Sequence, residues 1–103
     1  MTKQVDNAAM SVITREGYGD YYTLGLVYGL GIGDGCEYPI LNETVSVILQ
    51  EGMMMSCEPG IYLPGIGGIR IEDDVVIRNG IGTVMNKTSK GPLILKEDAA
   101  HEV

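Results

Sequence analysis

Residues 57–74 read CEPGIYLPGIGGIRIEDD, and this stretch decides how the rest of the chain is interpreted. Its centre, Pro64-Gly65-Ile66-Gly67, is rich in glycine and proline and therefore predicts a turn. Met53 to Leu63 forms one predicted extended arm, and Gly68 to Arg78 forms the other. The stretch predicts an antiparallel hairpin centred near Gly65.

The second arm of this hairpin has one apolar and one polar face. The apolar face carries Ile69, Ile71, Val75 and Ile77. The positions between them are Arg70, Glu72, Asp74 and Arg78. A period of two residues is typical of a strand that is buried on one side only.

The hairpin also places two carboxylates against each other. If the arms pair symmetrically about Gly65, Glu58 lies directly opposite Glu72, and opposed Cβ atoms are about 4.5–5.5 Å apart. Two ionised carboxylates at that distance need a shared proton, a nearby cation or a bridging metal. Facing oxygen ligands suit divalent ions. Arg70 is expected on the same face, so an ion-pair cluster is the alternative to a metal site.

The residues of this hairpin resemble those of a known family. Residues 58–77, EPGIYLPGIGGIRIEDDVVI, are similar to the last two strands of pita-bread metallopeptidases, the group of Xaa-Pro dipeptidase, aminopeptidase P, methionine aminopeptidase and creatinase. The Glu-Pro-Gly-Ile-Tyr and Arg-Ile-Glu-Asp runs are typical of the proline-peptidase branch. Residues 49–60 (LQEGMMMSCEPG) and 7–22 (NAAMSVITREGYGDYY) also look like parts of this family. The resemblance spans roughly residues 5–95.

The resemblance implies an α+β fold that is half of a pita-bread domain. Its expected form is a curved, mainly antiparallel sheet with a helix on one face, and residues 1–103 are expected to be one domain, the C-terminal half of a catalytic domain. Residues 3–16 are predicted as the helix, and Gly17 is predicted to end it. Five apolar residues fall near one helical face: Val5, Ala8, Ala9, Val12 and Ile13.

The remaining segments have less regular patterns. Leu24 to Gly33 alternates glycine with apolar residues, which predicts a strand that is buried or closely approached. Asp34 to Asn42 contains a proline and is predicted as an irregular loop. The apolar run Thr44 to Gln50 fits either a helical turn or a strand. Gly91 to Leu95 is predicted as a last short strand.

The resemblance also implies a set of metal ligands: two Asp, one His and two Glu around two divalent ions, by analogy Mn, Co or Zn. Glu58 and Glu72 match the two glutamates. The family histidine stands in a Gly-His-Gly-Ile-Gly motif, whose counterpart here is residues 29–33 with Leu30 at the ligand position. The two Asp ligands belong to the preceding half of the fold, which these 103 residues do not include.

Two further family histidines also lack a counterpart. One matches Cys36, before Glu37, and the other falls at Leu24 or its neighbours. The sole histidine of the chain, His101, stands in a polar tail. Because the metals activate water and the histidines handle protons, the resemblance predicts no catalytic residues here and no proline peptidase activity for the chain alone. Glu58 and Glu72 remain as a vestigial or partial metal site.

Three functional classes stay open. The chain is a diverged, inactive peptidase-like protein that binds peptides or a partner, a half-enzyme completed by a partner chain, or a metal- or small-molecule-binding protein that uses Glu58 and Glu72. Asp34, Cys36 and Glu37 cluster after the glycine motif and could ligate a metal, and Cys36 is also a candidate nucleophile. A loop acid or a small buried thiol is the simpler interpretation.

Composition limits the class of partner. Hydrophobic residues make up 45% of the chain, which favours a folded protein. The net charge of −7 disfavours nucleic acid and anionic membrane surfaces as partners. Two cysteines form neither a disulfide framework nor a zinc pattern, so a cytoplasmic protein is expected. Half a fold leaves an apolar edge or face uncovered, so a homodimer or a partner chain covering the missing half is expected.

Overall fold

The computed structural model describes residues 1–22, 27–33, 37–41 and 46–95. Within them the chain forms one α-helix, one 3₁₀ turn and seven strands. The elements are α1 (Thr2–Arg15), the 3₁₀ turn (Gly19–Tyr21), β1 (Val27–Leu30), β2 (Glu37–Leu41), β3 (Met54–Cys57), β4 (Gly60–Leu63), β5 (Gly67–Arg70), β6 (Asp73–Arg78) and β7 (Ile81–Val84).

Five strands form one antiparallel sheet in the order β2-β1-β3-β6-β7, and β4 pairs with β5 in a separate antiparallel ribbon. This arrangement, with a single helix, agrees with the predicted fold class. None of the helices in the described part of the chain is long and apolar enough to cross a membrane.

The predicted hairpin register about Gly65 is confirmed. Cys57 faces Asp73 where β3 pairs with β6, and Gly60 faces Arg70 where β4 pairs with β5, so both ladders are symmetric about the same residue. Each predicted arm is nevertheless two short strands, not one. The ladders stop on either side of Pro59 because proline has no N–H to donate to a ladder hydrogen bond.

Two segments between the helix and the hairpin need correction. The predicted loop over residues 34–42 is wrong in its second part, because residues 37–41 form β2. Pro39 is tolerated there because β2 is an edge strand, and on its outer side no N–H donor is needed for a ladder. Residues 46–50 form neither a helix nor a strand. Residues 24–26, 34–36 and 42–45 lie outside the described residues.

The predicted last strand over residues 91–95 is also wrong. Residues 92–95 have no secondary structure, and the side chains of Leu93, Ile94 and Leu95 are more than four-fifths exposed. A strand needs a neighbouring strand edge for its backbone groups, and no strand in the described part of the chain pairs with this segment. Strand-forming composition alone is therefore insufficient here.

Helix α1 forms as predicted and is followed by Gly17 with φ of 88°, but its buried residues are polar. Thr2 and Asp6 are buried, whereas Val5 and Val12 are partly exposed, at 36% and 49%. The predicted apolar face is therefore only partly used. Tertiary contacts of Thr2 and Asp6 therefore outweigh the apolar pattern in deciding which helix residues are buried.

Polar contacts hold the helix in place. The Thr2 N–H donates to the Val47 carbonyl at 2.9 Å, and the Val47 N–H donates to Thr2 Oγ1 at 2.8 Å. The Tyr22 hydroxyl donates to Asp6 Oδ1 at 3.1 Å, and burial together with this carboxylate raises the pKa of Tyr22 well above its usual value. Tyr22 therefore remains a proton donor to Asp6.

The core lies between α1 and the central strands. Met55 is 3% exposed and packs against Ala9, Leu49 and Cys57. Its neighbour Met54 is 37% exposed, because successive strand residues point to opposite faces.

The predicted faces of the second arm are correct in part. Ile77 is buried, but Ile69 and Ile71 are exposed. They lie on or beside the ribbon of β4 and β5, which is a two-stranded sheet separate from the five-stranded one. Val76 is buried on the face that was predicted to be polar. The apolar pattern of the ribbon is therefore left at the surface.

Candidate functional site

One cavity of about 320 Å³ brings together the residues that the sequence singled out. Glu58, Glu72 and Leu30 all line it. The other lining residues are Tyr28, Gly31, Gly33 and Ser56. Tyr28 faces Ser56 and Leu30 faces Met54 across β1 and β3, which puts the two β1 side chains on the carboxylate face of the sheet.

The two glutamates occupy facing positions. The Ile77 N–H donates to the Met53 carbonyl at 2.9 Å, and the Ile71 N–H donates to the Pro59 carbonyl at 3.4 Å. These bonds are six residues apart on both arms, so the antiparallel alternation continues between them without a bulge. Glu58 and Glu72 therefore form a non-hydrogen-bonded pair, the type in which facing side chains are closest.

Each carboxylate has a partner within the chain. The Ser56 hydroxyl, which is buried, donates to Glu72 Oε1 at 2.6 Å. Arg70 Nε lies 3.7 Å from Glu58 Oε2, and the Glu58 side chain is only 15% exposed. The ion-pair alternative is thus present for Glu58. Ser56 was missed by the sequence reasoning, although its position two residues before Glu58 places it on the same strand face.

Glu37 contacts two of the glycines that line the cavity. Its Oε1 accepts the Gly33 N–H at 2.5 Å, and a Cβ on Gly31 or Gly33 would overlap the Glu37 carboxylate. Glycine is required here for this close approach. Glu37 is therefore engaged with the glycine turn, and the prediction that it could ligate a metal has no support from its contacts.

Several predicted site residues cannot be placed. Leu24, Asp34, Cys36 and His101 lie outside the described residues. Cys57, the other cysteine, is half-buried and lines a different cavity of about 380 Å³ between α1 and the sheet. Burial, with a smaller effect of the Asp73 carboxylate, raises the pKa of the Cys57 thiol. The thiol is therefore a poor nucleophile.

The residues present do not fit a two-metal site. The cavity offers two carboxylates, a serine hydroxyl and a tyrosine, and Leu30 has no lone pair to donate. Within residues 1–22, 27–33, 37–41 and 46–95, no three His, Cys, Asp or Glu side chains come together in a way that could hold a metal ion. Catalytic zinc sites commonly use three protein ligands.

Comparison with known proteins agrees with this fold. Residues 1–79 match the sequence model of metallopeptidase family M24. The putative dipeptidase YkvY of Bacillus subtilis is 43% identical over 91 residues, which cover 88% of this chain and 25% of that protein. An uncharacterized peptidase of Staphylococcus aureus is 43% identical over 77 residues, covering 75% of this chain and 22% of that protein.

Solved structures show the same relation. The Xaa-Pro dipeptidase from Bacillus anthracis superposes with a TM-score of 0.86 at 37% identity over 91% of this chain and 26% of that one. A dipeptidase from Pyrococcus horikoshii gives 0.81 at 44% identity over 85% and 24%. The chain thus spans about a quarter of the length of these relatives and has the predicted pita-bread type of fold. It belongs to metallopeptidase family M24.

Proposed function

We propose that this chain is a module of the Xaa-Pro dipeptidase type that has no peptidase activity of its own, a pseudoenzyme. Its similarity to Xaa-Pro dipeptidases supports the type. The proposed inactivity rests on the position of Leu30, which lines the cavity together with Glu58 and Glu72. The family resemblance implies a histidine ligand at this position.

The chemistry explains why this substitution is decisive. Metal-assisted hydrolysis needs an ion held firmly enough to lower the pKa of a bound water and to polarise the scissile carbonyl. Glu58 and Glu72 are two of the five ligands that the resemblance implies, and Leu30 cannot replace the third. No bound metal, whether Mn, Co or Zn, is therefore required, and the two glutamates are a vestigial site.

A direct assay tests this proposal. We expect the isolated chain, incubated with Xaa-Pro dipeptides and Mn²⁺ or Co²⁺, to release no proline above the rate with metal alone. The Xaa-Pro dipeptidase from Bacillus anthracis serves as the positive control. Proline release that disappears in Glu72→Gln would contradict the proposal. Release that requires addition of a second chain would favour the half-enzyme alternative.

We further propose that residues 1–103 are one domain, the C-terminal half of a catalytic domain, and that it pairs with a second copy of itself in the cytoplasm. An open groove of about 390 Å³ on the ribbon supports the pairing; it is named the ribbon groove and is lined by Tyr18, Ile61, Leu63, Ile66 and Ile69 together with two glycines. None of these described lining residues is charged. Because each chain carries −7, an uncharged surface is where two copies can approach with least repulsion.

The oligomeric state tests the pairing. We expect sedimentation over a concentration series to show a dimer. Ile69→Lys should raise the dimer dissociation constant at least tenfold, because a lysine in an apolar interface must be desolvated. Ile69 is 64% exposed in the single chain, so the substitution should leave folding intact. Ile81→Lys, at a similarly exposed position on β7, is the matched control. A monomeric wild type, or equal effects of both variants, would refute the pairing.

A further inference from the structure

We infer that Glu58 and Glu72 act as a cross-strand staple, held by Ser56 and Arg70 in place of a metal, that joins the ribbon of β4 and β5 to the five-stranded sheet. This inference rests on the proposed function in one respect, because both begin from a cavity without its histidine ligand. It assigns to the former ligand pair a mechanical role.

The staple lies where the backbone is weakest. The ladder of β3 and β6 ends at Cys57 and Asp73, and the ladder of β4 and β5 begins at Gly60 and Arg70. Between them one backbone hydrogen bond is found, from the Ile71 N–H to the Pro59 carbonyl, and at 3.4 Å it is long. A two-stranded ribbon is at best marginally stable alone. Side-chain contacts across this junction would therefore add to its stability.

Two side-chain contacts, Ser56 with Glu72 and Arg70 with Glu58, cross this junction diagonally and in the same direction. Ser56 lies opposite Asp74, so its bond to Glu72 runs to the diagonal neighbour on the other arm. Arg70 lies opposite Gly60, so its ion pair with Glu58 is also diagonal. Diagonal neighbours in an antiparallel pair are within reach of such side chains. Each contact thus links one arm to the other, and together they bracket both glutamates.

The same contacts provide the compensation that facing carboxylates require. Arg70 brings a positive charge to Glu58, and the buried Ser56 hydroxyl gives Glu72 a short, charge-assisted hydrogen bond. Leu30, on the adjacent strand and lining the same cavity, adds apolar surface and no ligand. The pair is held by groups of the chain itself and needs no external cation.

Amide hydrogen exchange of the ribbon tests the staple. We expect Ser56→Ala to speed exchange of the Ile61 and Ile69 amides about tenfold, the order expected when one charge-assisted hydrogen bond is lost. Arg70→Met should give a smaller rise, about two- to threefold, because Arg70 is half exposed and its ion pair is screened. Amides of β6 and β7 should exchange as in the wild type, which also reports that the variant is folded.

Matched control variants and a measurement with added metal complete the experiment. Ser11→Ala, whose hydroxyl donates to the Ala8 carbonyl on the exposed helix surface, and Arg78→Met, at the far end of β6, should leave ribbon exchange unchanged. Glu72→Gln, which keeps an acceptor but not the charge, should fall between Ser56→Ala and the wild type. Excess Mn²⁺ alone should change neither exchange nor melting of the wild type.

Two results would overturn the inference. If the ribbon amides of Ser56→Ala and Arg70→Met exchange at the wild-type rate, the two contacts do not hold the ribbon. If Mn²⁺ slows ribbon exchange in the wild type but not in Glu72→Gln, the pair is a metal site. Neither readout depends on peptidase activity, so failure of the staple and failure of the proposed inactivity are separate outcomes.

Discussion

Replacing Leu30 by histidine is expected to give the cavity a divalent-metal site. Residue 30 lines the same cavity as Glu58 and Glu72, so the imidazole would join two carboxylates and complete three protein ligands, the number common in catalytic zinc sites. A metal present at a hundred times its Kd stabilises the folded state by about 2.7 kcal/mol. In a chain of this size that corresponds to a rise in Tm of roughly 10 °C.

Melting with and without Zn²⁺ or Mn²⁺ measures this effect, and calorimetric titration gives the stoichiometry. Ile81→His, at an exposed position on β7 outside both the ribbon groove and the carboxylate cavity, is the control for unspecific binding by a new histidine. The double change Leu30→His with Glu72→Gln should lose most of the shift. If Leu30→His melts identically with and without metal, the side chain at position 30 does not reach the glutamates, and Leu30 is not the cause of the proposed inactivity.

Met55→Ala is expected to remove much of the stability of the fold. Met55 is 3% exposed and packs against Ala9, Leu49 and Cys57, so truncation leaves a cavity at the centre of a small core. Such substitutions cost about 2–5 kcal/mol, and a domain typically has only about 5–15 kcal/mol in total. Urea denaturation should show a clearly lower midpoint with a similar slope.

Met54→Ala is the matched control, because it changes the same residue type one position earlier on β3. Met54 is 37% exposed on the opposite face, so its truncation should cost less than about 1 kcal/mol. Equal losses at both positions would mean that the helix-covered face of the sheet is not the main core. A loss confined to Met54→Ala would place the core on the carboxylate face.

The hairpin shows how much local sequence can predict. Turn-forming residues around Gly65 and the alternation of the second arm led to the observed register, which is symmetric about Gly65 in both ladders. Gly65 itself has a φ of 74°, a conformation that glycine adopts without strain. Because the period of a strand is two residues, this register was enough to place Glu58 opposite Glu72.

Other elements depended on neighbours that the local pattern does not specify. Residues 37–41 became a strand because β1 offered an edge to pair with, in spite of Pro39. Residues 91–95 have a suitable composition but no partner strand among the described elements. In helix α1, contacts of Thr2 and Asp6 decided which residues are buried.

Turns, strand alternation and motif spacing are local properties, so the hairpin, the facing glutamates and the family resemblance follow from the residues alone. The strand alternation also indicated Arg70 as an ion-pair partner, and the resemblance placed Leu30 at the ligand position. The folded chain adds that Leu30 from β1 lines the cavity of Glu58 and Glu72, that Arg70 pairs with Glu58, and that Ser56 donates to Glu72. These long-range contacts follow from which strands pair and which faces meet, and backbone pairing between distant segments is not encoded in any single window of residues.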